Sequence, residues 1–175
     1  MTDLDGTRFR RLFDAHFDFV WGALRRLGVR QDDVEDRAHE VFLNVYRKLA
    51  DYDETRPIRP WLFGFAYRVA SHARRTEQRR REVIGVDSSV RDPSASPDEQ
   101  AIDRQERSIL LAALDELDID RRAVIVMHDW DSVPIPDVAR ALGVPLNTAY
   151  SRLRTARAEL RDAVKRLNRT RGTVR

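Results

Sequence analysis

The stretch PLNTAYSRLRTARAEL, Pro145 to Leu160, decides the fold of the second half of this chain. Read as a helix, it repeats Leu146, Ala149, Leu153, Ala156 and Leu160 at three- and four-residue steps, and Val164 and Leu167 continue the row. Such a row predicts a face turned to a core. At about 100° per residue, Asn147, Ser151, Arg154 and Thr155 fall nearly opposite it, with Thr148, Tyr150, Arg152 and Arg157 along its borders. The first carboxylate arrives only at Glu159. A helix that merely meets water usually mixes acids with bases, whereas this outer face is short of acid and rich in hydrogen-bond donors. The plainer alternative is that its arginines only solubilise it.

Just upstream, Pro136 suits a first helical turn, and Val138, Ala139 and Leu142 follow it before Gly143. A short helix, a turn containing glycine and a basic amphipathic helix make a helix-turn-helix, whose outer face would enter a major groove. The alternative is a plain pair of core helices. Further back, Ile102, Ile109, Leu110, Ala113, Leu114 and Leu117 open this second helical domain, and RRAVIVMHDW, Arg121 to Trp130, follows them.

The first half is helical in the same way. Phe9, Leu12, Phe13, Phe17, Val20, Trp21, Leu24 and Leu27 form a broad apolar side that stops at Gly28. A second helix, DDVEDRAHEVFLNVYRKL, begins with acids that favour a helix N-terminus and repeats Val34, Ala38, Val41, Phe42, Val45 and Leu49. Prolines in ADYDETRPIRP break the pattern, and a third helix resumes it through Leu62, Ala66, Val69, Ala70 and Ala73. Opposite that row stand Gly64, Tyr67, Arg68, Ser71 and Arg75, with Trp61 and His72 near one edge. Rings interleaved with guanidinium groups suit unpaired nucleic acid, because bases stack on the rings while the cations follow the backbone. Packing of Trp61 and Tyr67 against neighbouring helices is the structural alternative. Between the halves, GVDSSVRDPSASPDEQ, Gly85 to Gln100, loses all periodicity and reads as a flexible linker with an r.m.s. span of about 20 Å and a reach of about 50 Å.

The chain has 175 residues, 42% hydrophobic and 35% charged, which suits one medium domain or two small ones. The seven glycines and seven prolines leave room for mostly helical structure. Charge is segregated along it. Arg59 to Glu82 carries seven arginines against two glutamates, Asp87 to Asp120 ten acids against three arginines, and Pro145 to Arg175 nine bases against two acids. Two basic blocks therefore flank an acidic middle, and clustered cations bind a polyanion by releasing its counterions. The acidic middle, through Asp98, Glu99 and Asp103, could also cover the basic blocks within the molecule.

With no cysteine, disulfides, thiolate metal sites and thiol nucleophiles are excluded together. His16, His39, His72 and His128 are too scattered for a ligand motif, and neither a phosphate-cradling glycine loop nor a nucleophile elbow is present. No enzyme activity, cofactor or metal is expected. Neither a run of about 18 apolar residues nor a signal-like start is found, so a cytoplasmic protein without membrane insertion is expected.

These residues resemble the sigma-70 family of transcription initiation factors, in its two-domain extracytoplasmic-function branch. DDVEDRAHEVFLNVYRKL is similar to that family's polymerase-binding helix, and RPWLFGFAYRVASHARR to its segment for the promoter element nearest the start site. ALDELDIDRRAVIVMHDW with IPDVARALGVPLNTAYSRLRTARAEL is similar to the domain that reads the upstream element. The resemblance implies an all-α chain of two small helical domains, 8–84 and 101–167, with a flexible linker at 85–100 and a tail at 168–175. It places Asp33, Asp36, His39, Glu40 and Phe42 on the helix that docks on the clamp of the polymerase's largest subunit. The loop from Tyr52 to Pro60, with Trp61, resembles the loop that captures a flipped-out base.

The same resemblance assigns Arg59, Trp61, Tyr67, Arg68, Ser71, His72, Arg74 and Arg75 to the downstream element. Asn147, Thr148, Tyr150, Ser151, Arg152, Arg154, Thr155 and Arg157 go to the upstream one. Arg154, Ser151 and Asn147 are expected on base edges, and Arg152 and Arg157 on phosphate or in internal pairing. His39 stands where glutamine is usual, and Arg68 and His72 where asparagine and aspartate are common. The expected partners are core RNA polymerase, through its clamp and the flap of its second-largest subunit, promoter DNA, and an anti-sigma factor. Two other readings stand beside this one. A helix-turn-helix regulator with a sensing or dimerising first domain would not prefer melted duplex, and an all-helical interaction module would not touch nucleic acid.

Overall fold

In a computed structural model of the chain, residues 3–84 and 101–172 are described, and they are all-α. The order is α1 (Asp3–Arg26), α2 (Val34–Lys48), α3 (Ile58–Ile84), α4 (Ala101–Asp115), α5 (Ile119–Ile125), α6 (Ile135–Leu142) and α7 (Leu146–Gly172). A π-helical turn, Val126–Trp130, extends α5. The linker expected at 85–100 lies outside the described residues.

The first three helices pack on one another as their apolar rows require. Val20, Leu24, Val41, Phe42, Val45, Leu62, Phe63 and Ala66 are at most 2% exposed. Burial of each large apolar side chain contributes about 1.5–3 kcal/mol. Gly28 ends the first helical run at φ 92°, a backbone state that side chains with a Cβ resist.

The second domain is built from α4 to α7 around Ala113, Leu114, Leu117, Val124, Met127, Val138, Ala149 and Ala156, again at most 2% exposed. Asp118 caps α5 by accepting hydrogen bonds from the backbone N–H of Asp120 and Arg121, at 3.0 and 2.9 Å. Pro136 lies in the first turn of α6, and Gly143 closes that helix in the left-handed region at φ 68°. The turn to α7 completes the helix-turn-helix.

Two expectations need correction. The tail expected from residue 168 is a continuation of α7 as far as Gly172. Leu146, placed in the core-facing row, is 44% exposed at the first turn of α7. The two domains touch. One hydrophobic cluster runs through both, and α3 lies against α6. Within this arrangement Arg154 stays exposed and Trp61 half-buried.

Candidate nucleic-acid interface

On α7 the apolar row holds Ala149, Leu153, Ala156 and Ala163 in the core. This rotation leaves Asn147, Tyr150, Ser151, Arg154, Thr155 and Arg157 exposed, with Thr148 and Arg152 half-buried at the borders. The three arginines differ in their surroundings. Arg157 donates a two-pronged bond to Asp129 at 2.9 and 2.6 Å, and Arg152 donates to Asp120 at 2.6 Å. Arg154 makes no ion pair among the described residues. The hydrogen bonds from Arg157 hold the Asp129 carboxyl below its ordinary range and push the guanidinium up. Arg154 is thus the uncompensated cation at the centre of this face. Ser151 Oγ donates back to the Thr148 carbonyl at 3.0 Å, which orients its hydroxyl.

On α3 the expected outer face divides in two. Gly64 and Ser71 are buried and Tyr67 is half-buried, so this line of residues is not open to solvent. The expectation of an exposed Ser71 is therefore corrected: it is 7% exposed, on a face that meets the second domain. Tyr67 Oη donates to Asp120 at 2.5 Å, and burial followed by this bond raises the phenol's pKa. One step round the helix, Arg68, His72 and Arg75 remain exposed, with Arg59 exposed near the N-terminus and Arg74 half-buried. Arg68 lies over the Phe65 ring at 4.6 Å.

The loop before α3 is shaped by its own bonds. Asp53 accepts from the Thr55 N–H and hydroxyl at 3.0 and 2.6 Å, which lowers its pKa, while the Tyr52 hydroxyl donates to the Arg56 carbonyl. Tyr52 and Trp61 face each other at 4.7 Å, and Phe65 meets Trp61 edge-on at 4.9 Å. These rings stand beside the exposed arginines, an arrangement suited to stacking bases.

Asp33, just before α2, and Asp36 and His39 on it are exposed, and Glu40 is half-buried, paired with Arg37 at 2.8 Å. Phe42 is not on that surface. It is 2% exposed, inside a ring cluster with Phe9, Phe13 and Phe17, because it belongs to the helix's apolar row. The exposed apolar residues of this face are Leu43, at 59%, and Tyr46, at 37%. Sequence reasoning missed them, although both lie off the apolar row, which is the signal that could have found them. Among the described residues, no group of three or more His, Asp or Glu is placed to hold a metal, and no helix is long and apolar enough to cross a membrane.

Comparison with known proteins matches two family models in order along the chain: sigma-70 region 2 at residues 12–80 and sigma-70 region 4 at residues 107–160. The chain is 32% identical to the ECF RNA polymerase sigma factor SigL of Mycobacterium tuberculosis, over 93% of this chain and 92% of that one. It is 28% identical to the RNA polymerase sigma factor NccH of Alcaligenes xylosoxydans xylosoxydans, over 89% and 86%. Among solved structures, the sigma factor RpoE in complex with the anti-sigma factor NepR from Bartonella quintana has a similar fold. Its TM-score is 0.72 at 20% identity, covering 90% of this chain and 97% of that one. CnrH in complex with the cytosolic domain of CnrY follows, with a TM-score of 0.64 at 25% identity over 90% and 87%.

Proposed function

The chain belongs to the extracytoplasmic-function branch of the sigma-70 family, and from that premise we propose how its exposed faces divide the work of starting transcription. As a member of that family it binds core RNA polymerase and directs it to promoters. In our reading the outer face of α2, with Asp33, Asp36, His39, Leu43 and Tyr46, docks on the polymerase clamp. Carboxylates there suit a basic surface, and the two apolar residues supply contact area that water leaves on docking. The second domain would meet the flap of the second-largest subunit.

The stripe of Arg59, Arg68, His72 and Arg75, with Trp61 and Tyr52 beside it, takes the downstream element as single strand. Binding energy spent on exposed bases favours melted over paired DNA, so strand opening follows from differential affinity. The α7 face of Asn147, Ser151 and Arg154 reads the upstream element in the major groove, with Thr148, Tyr150 and Thr155 around it. Arg152 and Arg157, tied to carboxylates in the free chain, serve phosphates only once released.

The protein itself catalyses nothing in this scheme, and its place is the cytoplasm, with the polymerase. One structural relative is in complex with an anti-sigma factor and another with the cytosolic domain of CnrY, which supports a protein partner of the anti-sigma kind here. The observation that carries the reading is the ordered pair of region 2 and region 4 matches on one chain. Adding the purified protein to core polymerase and a promoter library, then sequencing the transcripts, tests it: specific new start sites are expected, and their absence would remove it.

A further inference from the structure

We propose that α7 carries a second nucleic-acid contact beyond its base-reading face: Arg161 and Lys165, on the C-terminal half of the helix, grip the backbone phosphates of the duplex flanking the upstream element. The inference rests on the assignment of α7 to that element.

The helical period joins the two contacts. At about 100° per residue, Asn147, Arg154, Arg161 and Lys165 fall within about 20° of one line along α7. Ala163 stands on the opposite side and is 0% exposed, so its burial turns the line outward. Arg154, Arg161 and Lys165 are all exposed, and none of them makes an ion pair among the described residues. The two acids of this stretch stand elsewhere: Asp162 lies about 80° and Glu159 about 140° round the helix from Arg154, and Glu159 is taken up by Arg121. The line is a strip of cations with no carboxylate on it.

Length decides what the strip meets. From Asn147 to Lys165 the helix runs about 27 Å, whereas a major groove is about 12 Å wide. Base edges are within reach of the first turns only. Further along the same line, α7 leaves the groove past its phosphate rim, where a charge without directional hydrogen bonding suffices.

Packing fixes the strip in place. The helix continues to Gly172, with Val164 and Leu167 half-buried beside Ala163, and α4 lies along it. Arg166 donates to Glu116, just after α4, at 2.6 Å. The acid available nearby is thus spent on the inner side of α7, and the outer cations stay uncompensated. Such a surface fits a polyanion, and the DNA engaged by Asn147 and Arg154 is the polyanion continuous with it.

The test measures promoter binding by the full chain in complex with core polymerase as salt is varied. Arg161→Gln and Lys165→Gln should each lower the slope of log affinity against log salt by about one, and the double variant by about two. Between about 50 and 200 mM salt, wild type should then lose about tenfold more affinity than the double variant. Preference among single-base variants of the element should stay as in wild type, because phosphates carry no base identity. Ethylating single phosphates beside the element should weaken wild type at positions where it leaves the double variant unaffected. Arg161→Lys should keep the slope, and Arg166→Gln, which removes the same charge from another side of α7, should leave it unchanged.

A wild-type slope in the double variant, or an equal fall in Arg166→Gln, would overturn the proposal. The first result together with weaker binding to polymerase would give the strip to an acidic protein surface instead. Should circular dichroism show that the double variant has lost its helices, the single variants decide through the same slopes. The base-reading assignment fails separately: Arg154→Ala would then leave base preference untouched. If Arg154→Ala relaxes that preference while the double variant keeps its slope, only the phosphate contact falls.

Discussion

At the scale of single residues, Arg154 and Arg157 show how neighbours separate two arginines of one helix. Arg154 is exposed without a counter-charge, whereas Asp129 holds Arg157 in a fork. Replacing Arg154 by Ala should cost about 1–3 kcal/mol in promoter binding by the polymerase complex and relax preference at one base position. Competition binding against single-base variants of the site measures both. Arg157→Gln should act mainly on stability. Asp129 has its pKa lowered in the fold, so the pair's contribution is full above the unfolded carboxyl's value and is lost as pH falls through the depressed one. Urea unfolding should therefore separate wild type from Arg157→Gln at neutral pH, by less than about 1 kcal/mol for so exposed a pair, and bring them together in strong acid. The helical period already placed Arg154 outward. It could not show that Arg157 has a partner 28 residues away in sequence, because that distance closes only when the π-helical turn packs on α7.

At the scale of elements, α2 separates a core side from a docking side. Phe42→Ala should cost about 3–5 kcal/mol of stability, since the ring lies inside the first domain. Leu43→Ala should leave the melting temperature nearly unchanged and weaken binding to core polymerase. Thermal denaturation alongside a polymerase pull-down distinguishes the two, and equal destabilisation by both would contradict the assignment of Leu43 to the docking face. Gly143 governs the turn of the helix-turn-helix. No atom lies within 4 Å of where its Cβ would be, so Gly143→Ala tests backbone conformation alone and should cost about 1 kcal/mol. Helix starts and stops at Gly28, Pro136 and Gly143 were legible, because each rests on a residue's own backbone preference. The π-helical turn and the extension of α7 to Gly172 were not, since neither carries a local signal as strong as glycine or proline.

At the scale of the whole molecule, the hydrophobic cluster that runs through both domains has a thermodynamic consequence. Wild type should unfold in one calorimetric transition, and Gly64→Ala, by parting the contact between α3 and α6, should split it into two. Two transitions in the wild type would show that the contact does not couple the domains.

Much of the architecture followed from the chain alone: helices from apolar rows, two domains from the loss of periodicity between them, basic faces from the segregation of charge. Such features depend on residues near each other in sequence, and a 3.6-residue period suffices to reveal them. Only the tertiary structure decided which wet faces are open. Gly64 and Tyr67 read as solvent-facing on an isolated helix, yet they lie against Ala141 of α6 and Asp120, which reach them from 53 or more positions away. A face opposite a helix's own core row is free only if no second domain covers it, and contact between domains depends on shape and charge brought together from distant parts of the chain.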